Sequence, residues 1–115
     1  MKSNRNPGEN MSVYFIVEIK TRNEDKAAYA KYIEKVRPIV EKYGGRYLVR
    51  GGKVTPVFGD WDPERIVVIE FPSGGDVERW LDSPEYKKIA ELREHSTITK
   101  AIMVEGCDGK EFKQL

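Results

Sequence analysis

The sequence is poor in the residues that staple or anchor a small protein. A single cysteine, Cys107, has no partner within the 115 residues, so an intramolecular disulfide is excluded. The lone His95 cannot join it in a conventional zinc site, which takes four Cys or His ligands. Long apolar runs are missing too: no stretch approaches the roughly 18 residues of a membrane span. Residues 1–10, MKSNRNPGEN, have no apolar segment of the secretory kind. Excess charge of one sign is absent, with 20 basic against 19 acidic residues, so there is no basic field for a nucleic acid. The segment RIVVIEF at 65–71 lacks the aromatic pattern with which an RNA-recognition sheet stacks bases. Neither G-x-G-x-x-G nor a phosphate-binding loop is present. These absences lead to an expectation of a soluble, cytoplasmic domain with no nucleic-acid or membrane partner, no metal and no cofactor. Glutamine occurs only at 114 and asparagine beyond residue 10 only at 23, while charged residues reach 34%, a bias that suits a heat-adapted source.

What is present is a clear alternation of element signals. Residues 1–10 are expected to be a flexible extension, 11–106 one domain, and 107–115 a polar tail. The run VYFIVEI places Val13, Phe15, Val17 and Ile19 on one side of a strand and Tyr14, Ile16 and Glu18 on the other. Asn23 offers a helix cap, and the apolar spacing from Ala28 to Tyr43 predicts a helix over 24–43. Pro38 predicts a kink or a second segment in it, and Gly44-Gly45 its end. A short strand follows at 46–50, with an irregular continuation expected over 53–58. RIVVIEF is the clearest strand. A second helix begins after Asp76 as expected cap, breaks at Ser83-Pro84 and resumes over 84–95, and ITKAIMVE at 98–105 closes the chain as a strand.

Strand, helix, strand, strand, helix, strand is the ferredoxin-like βαββαβ order, an α+β fold with an antiparallel sheet and its helices on one face. Right-handed crossovers make the first and third strands central. Helices shield one sheet face only, yet Ile16, Ile66 and Val68 put hydrocarbon on the other. A patch of that kind marks an interaction surface, and the simplest cover is a second copy packed sheet to sheet about a two-fold axis. The sequence therefore predicts a homodimer.

Several fragments together resemble one family. They are Y-x-x-Y at Tyr29 and Tyr32, Pro38, YGGRYLVRGG from Tyr43 to Gly52, and W-x-P-x-R at Trp61, Pro63 and Arg65. FPS at Phe71–Ser73 follows, then W-x-x-S-x-E-Y at Trp80, Ser83, Glu85 and Tyr86, and Arg93. From Val13 to Gly106 this combination is similar to the DUF1330 family of the dimeric α+β barrel superfamily. The resemblance implies a ferredoxin-like fold paired into a barrel. Relatives at superfamily level include cofactor-independent monooxygenases and isomerases of small aromatic or lactone compounds, alongside members without known catalysis. Fold alone does not choose among them.

The candidate site residues are read from chemistry. Arg50 ends one strand and Arg65 begins the next, so the hairpin brings two forked carboxylate donors to the rim of one pocket, where Trp61 could stack on a planar ligand. The competing reading pairs Arg65 with Glu18 and uses Trp61 to cap the barrel edge. Tyr32 and Tyr86 are expected to turn hydroxyls into a cleft between helices and sheet, the default place for a small ligand. His95, the one side chain that ordinarily titrates near neutrality, is the candidate general acid or base, with a helix C-terminal cap as the alternative. Two functions stay open at this point. One is a small organic molecule, aromatic or carboxylate-bearing, bound in the cavity with or without cofactor-independent catalysis. The other is a non-enzymatic association module with a self-filled core.

Overall fold

A computed structural model describes residues 12–22 and 26–107. The expected flexible extension over 1–10, the Asn23 cap and the tail after Cys107 lie outside the described residues. The elements run β1 (Val13–Thr21), α1 (Lys26–Lys42), β2 (Arg46–Arg50), β3 (Arg65–Phe71), α2 (Gly74–Asp82), α3 (Pro84–Ser96) and β4 (Thr97–Glu105). The four strands form one antiparallel sheet in the order β2-β3-β1-β4, the ferredoxin-like arrangement with β1 and β3 central.

Strand alternation sorts the residues as hydrocarbon and water require. Val13, Val17 and Ile19 of β1 and Val67, Ile69 and Phe71 of β3 are buried against the helices, joined by Val36 and Val40 of α1 and Val77 and Trp80 of α2. Even-numbered positions of both central strands lie on the other face. Ile16, Ile66 and Val68 are half-buried there, and the same face continues onto β4 as exposed Ile98, Ile102 and Val104.

Several local details differ from the sequence expectation. Helix α1 runs through Pro38 as one segment: proline removes a single backbone donor, and Tyr32, Val36 and Val40 around it are held in the core. The α1 end behaves as expected, with Gly44 at φ 89°. The cap of α2 is Ser73, not Asp76. The Ser73 hydroxyl accepts from the Asp76 N–H at 3.2 Å and donates to Asp76 Oδ2 at 2.9 Å, so Asp76 closes a reciprocal box three residues into the turn. Ser83 and Pro84 start α3 as the sequence indicates, Ser83 Oγ accepting from the Tyr86 N–H at 3.0 Å. The expected strand continuation over 53–58 does not form. Gly51 turns at φ 83°, and beyond it the chain leaves the sheet as an exposed loop to Glu64. No helix among the described residues is long and apolar enough to cross a membrane.

Candidate functional site

Between the covered sheet face and helices α1, α2 and α3 lies a cavity of about 420 Å³. Its floor is the inward row of the central strands, Phe15, Val17 and Ile19 with Val67 and Ile69. Ala101 of β4, opposite Val17, extends the floor with almost no side chain, and small residues there leave volume that a leucine would fill. The walls are aromatic: Tyr29 and Tyr32 from α1, Tyr47 from β2, Trp80 from α2 and Tyr86 from α3. Trp80 fixes one end, packing edge-on to Phe15 at 5.3 Å between centroids, stacked with Phe71 at 5.4 Å and tilted against Tyr86 at 4.9 Å.

Polar groups enter this apolar space at few points. Tyr32 Oη and Tyr86 Oη are 3.0 Å apart, with either able to donate, and Arg93 Nε donates to Tyr86 Oη at 3.2 Å. At the other end, Arg50 lies over the Tyr47 ring at 4.5 Å and donates from Nη2 to the Ile33 carbonyl at 2.8 Å. Arg65 lies 5.8 Å from the Tyr29 ring centroid, packed so closely on Gly51 that a Cβ there would stand 2.2 Å from Nη1. Two buried donors, Arg65 Nε and Trp80 Nε1, have no hydrogen-bond partner among the described residues. Among the described residues the cavity wall carries three arginines and no carboxylate. Burial raises the Tyr32 hydroxyl well above the usual phenol range, with the neighbouring Tyr86 adding to the effect. The Tyr47 hydroxyl is pushed up to about 12 by burial, against the pull of Arg50 and Arg37. Tyr29 is raised by burial and partly relieved by Arg65.

The structure brings Arg50, Arg65, Tyr32 and Tyr86 into one cavity wall and leaves two of the expected site residues outside it. Trp61 sits in the exposed loop, 60% accessible, with its Nε1 donating to Glu18 Oε1 at 3.4 Å. Glu18 belongs to the uncovered sheet face, so Trp61 stands across the sheet from the cavity. The pairing of Arg65 with Glu18 does not occur, because Arg65 is opposite Ile19 and Glu18 is opposite Ile66. A difference of one residue in a strand puts two side chains on opposite faces. His95 is exposed near the end of α3 and lines no part of the cavity. It follows Arg93 by two residues, roughly 200° around the helix, so the two cannot share a face.

The residue that sequence reasoning undervalued is Arg93. Its signal was present, since Tyr86 and Arg93 are seven residues apart, two turns of one helix face. The spacing of Trp80 suits core or cavity lining, and that its indole N–H is unpartnered among the described residues is visible only in the folded chain. No group of three or more His, Cys, Asp or Glu among the described residues is placed to hold a metal.

The domain of unknown function DUF1330 matches residues 12–107. The chain belongs to the DUF1330 family. Comparison with curated proteins finds no match. Among solved structures, a protein of unknown function from Rhodopseudomonas palustris superposes with a TM-score of 0.72 at 16% identity, covering 87% of this chain and 85% of the other. SnoaB, a cofactor-independent oxygenase from Streptomyces nogalater, superposes at 0.64 with 11% identity, covering 88% and 98%. A dimeric protein of unknown function and ferredoxin-like fold from Bacteroides fragilis gives 0.59 at 15% identity, covering 83% and 96%. Membership in DUF1330 fits the ferredoxin-like sheet described above.

Proposed function

We propose that this DUF1330 protein works as a homodimer whose protomers each bind a small organic molecule, aromatic or carboxylate-bearing, in the cavity between sheet and helices. Arg50 and Arg65 serve as its polar anchors, with Tyr32 and Tyr86 opposite. The observation that carries the reading is the cavity itself. About 420 Å³ of mostly apolar space with a few converging polar groups falls within the roughly 300–1,000 Å³ of small-molecule pockets. An association module with a self-filled core would instead close that space with its own side chains, since interiors otherwise pack to crystal-like density.

The uncovered sheet face supports the dimer. Ile16, Ile66, Val68, Ile102 and Val104 put hydrocarbon on three adjacent strands of this face, with Glu18, Lys20 and Lys100 separating Ile98 from the rest, a surface suited to a second copy of itself. The dimeric neighbour from Bacteroides fragilis has the same fold. Catalysis without a cofactor is consistent with the fold of SnoaB but does not follow from it.

A thermal-shift screen against aromatic acids and lactones tests the reading. A ligand that binds only the native state stabilises it by RT ln(1 + [L]/Kd) and so raises the unfolding midpoint, and a subset of compounds should do this in a dose-dependent way. No shift from any compound, together with a cavity collapsed in a crystal structure, would refute it.

A further inference from the structure

The polar inventory of the cavity is one-sided. At the end formed by β2, the start of β3 and the first turn of α1, two guanidiniums meet: Arg50, already bonded to a backbone carbonyl, and Arg65, whose buried Nε has no partner. At the end formed by Phe15, α2 and α3, Trp80 is 2% exposed and its Nε1 also has no partner. Tyr32 and Tyr86 add a third unspent donor there. Two hydroxyls carry two protons, their mutual contact uses one, and Arg93 Nε occupies a lone pair of Tyr86 without taking a proton, so one O–H is left without an acceptor among the described residues. The unmatched groups at both ends are donors, and no carboxylate lines the cavity; of its three arginines, Arg93 is offset from outside by Glu94 Oε2 at 3.6 Å, which leaves Arg50 and Arg65 as the cationic end. Buried donors are ordinarily paired, so the natural complement of this cavity is a molecule that brings acceptors to both ends.

From this we infer that the ligand is an organic monoanion with two acceptor ends, its carboxylate on Arg65 and Arg50 and a carbonyl or ether oxygen at the far end on Trp80 Nε1 and the Tyr32–Tyr86 pair. The inference rests on the reading of the cavity as a ligand site and specifies its chemistry. The distance between ends sets the size. Arg65 is opposite Ile19 and Trp80 packs on Phe15, four residues earlier on β1 and so about 13 Å along the strand. Side chains reaching inward shorten that span to the length of a single substituted ring. The middle of the cavity, Val17, Val67, Ala101 and Ile33, offers only hydrocarbon to that ring. Arg93 acts as a positioning residue, holding Tyr86 Oη so that the remaining hydroxyl proton is available.

Calorimetric titration of the full-length protein with three probes tests the inference. They are para-acetylcinnamate, its neutral carboxamide, and para-isopropylcinnamate, which keeps the shape and charge but lacks the far acceptor. The acetyl acid is expected to bind at least about tenfold more tightly than the carboxamide and severalfold more tightly than the isopropyl acid, because a site built of donors rejects analogues that leave them unpaired. Arg65→Met should reduce the preference for acid over amide severalfold, and Trp80→Phe the preference for acetyl over isopropyl, with Arg50 and the Tyr32–Tyr86 pair retaining the remainder. Equal binding of acid and amide would overturn the anionic head group while leaving the cavity reading in place. Equal binding of the acetyl and isopropyl acids would overturn the far contact. Absence of binding by all three would overturn the inference, while the thermal-shift panel and the state of the cavity in a crystal decide the reading beneath it.

Discussion

Replacing Tyr86 by phenylalanine removes one oxygen and strands two groups. The hydroxyl accepts from Arg93 Nε at 3.2 Å and is 3.0 Å from Tyr32 Oη, and both tyrosines are more than nine-tenths buried. A hydrogen bond from a charged donor contributes about 1.5–3 kcal/mol, and stranding a buried hydroxyl costs about 1–3 kcal/mol. The Arg93 side chain keeps 23% of its surface in water, so solvent recovers part of the first contribution. Tyr32 has no such relief. The expected loss is therefore about 2–4 kcal/mol, a fall in Tm on the order of 10 °C for a domain of this size. Tyr32→Phe should cost less, since it strands no charged donor. The double variant should cost less than the sum of the singles, by about 1 kcal/mol or more. Denaturant unfolding of all four proteins at one fixed concentration reads the cycle, the concentration being held because a dimer's stability depends on it. A coupling below about 0.3 kcal/mol, or a Tyr86→Phe protein as stable as the parent, would refute the hydrogen-bonded pair as a structural unit of the cavity.

Arg65→Met should cost no more than about 2 kcal/mol, because beside an unpartnered buried Nε the side chain gives up only its interaction with Tyr29, whose ring lies 5.8 Å away and whose hydroxyl it favours by charge and hydrogen bonding. Ligand-induced shifts should vanish in the same variant, and a large loss of stability would make Arg65 a structural residue. Ile102→Lys, on the exposed face of β4, should convert the dimer to monomer in sedimentation at micromolar concentration while the far-UV spectrum is retained. A parent protein that already sediments as a monomer would remove the sheet-to-sheet assembly. Alkaline pH should destabilise the fold through the buried phenols. The Tyr47 hydroxyl is raised from the usual value near 10 to about 12, so its contribution is complete below pH 10 and is lost as pH rises from 10 to 12. Tyr32 acts in the same direction. Across that interval unfolding midpoints should fall while tyrosinate absorbance rises, and a flat stability profile to pH 12 would contradict the burial assigned to these rings.

Much of the architecture was legible because it follows from short-range rules. The period-two pattern of β1 and β3 assigns every residue of both central strands to a face, and Ser83-Pro84 marks a helix start without reference to the rest of the chain. The cap of α2 was misplaced because two glycines separate Ser73 from Asp76, and the sequence does not show which member of a reciprocal pair stands at the helix boundary. The site was legible only in part. Arg65, Tyr32 and Tyr86 are placed by strand parity or helical spacing, which sequence records, whereas Arg50 shares the cavity face with Tyr47, three residues earlier, only because β2 is bulged between Tyr47 and Val49, an irregularity the pattern did not show. Trp61 lies in the segment from Gly51 to Glu64, where no periodicity relates a side chain to either sheet face, so nothing in its neighbours indicated that it would fold onto Glu18. The Arg65–Glu18 pairing failed on parity: Arg65 alternates with Val67 and Ile69 on the covered face, opposite Ile19, whereas Glu18 alternates with Ile16 on the other face. His95 was chosen for its ordinary titration range, a property of the free side chain, whereas its place on the helix surface is a property of the fold.

A crystal structure of the protein grown with para-acetylcinnamate would interrogate the cavity directly. The predicted result is continuous density within each protomer, its carboxylate against the guanidiniums of Arg65 and Arg50 and its carbonyl oxygen within hydrogen-bond distance of Trp80 Nε1 or the Tyr32–Tyr86 pair. A cavity closed by its own side chains, or filled only by waters that leave Arg65 Nε and Trp80 Nε1 unpaired, would contradict it.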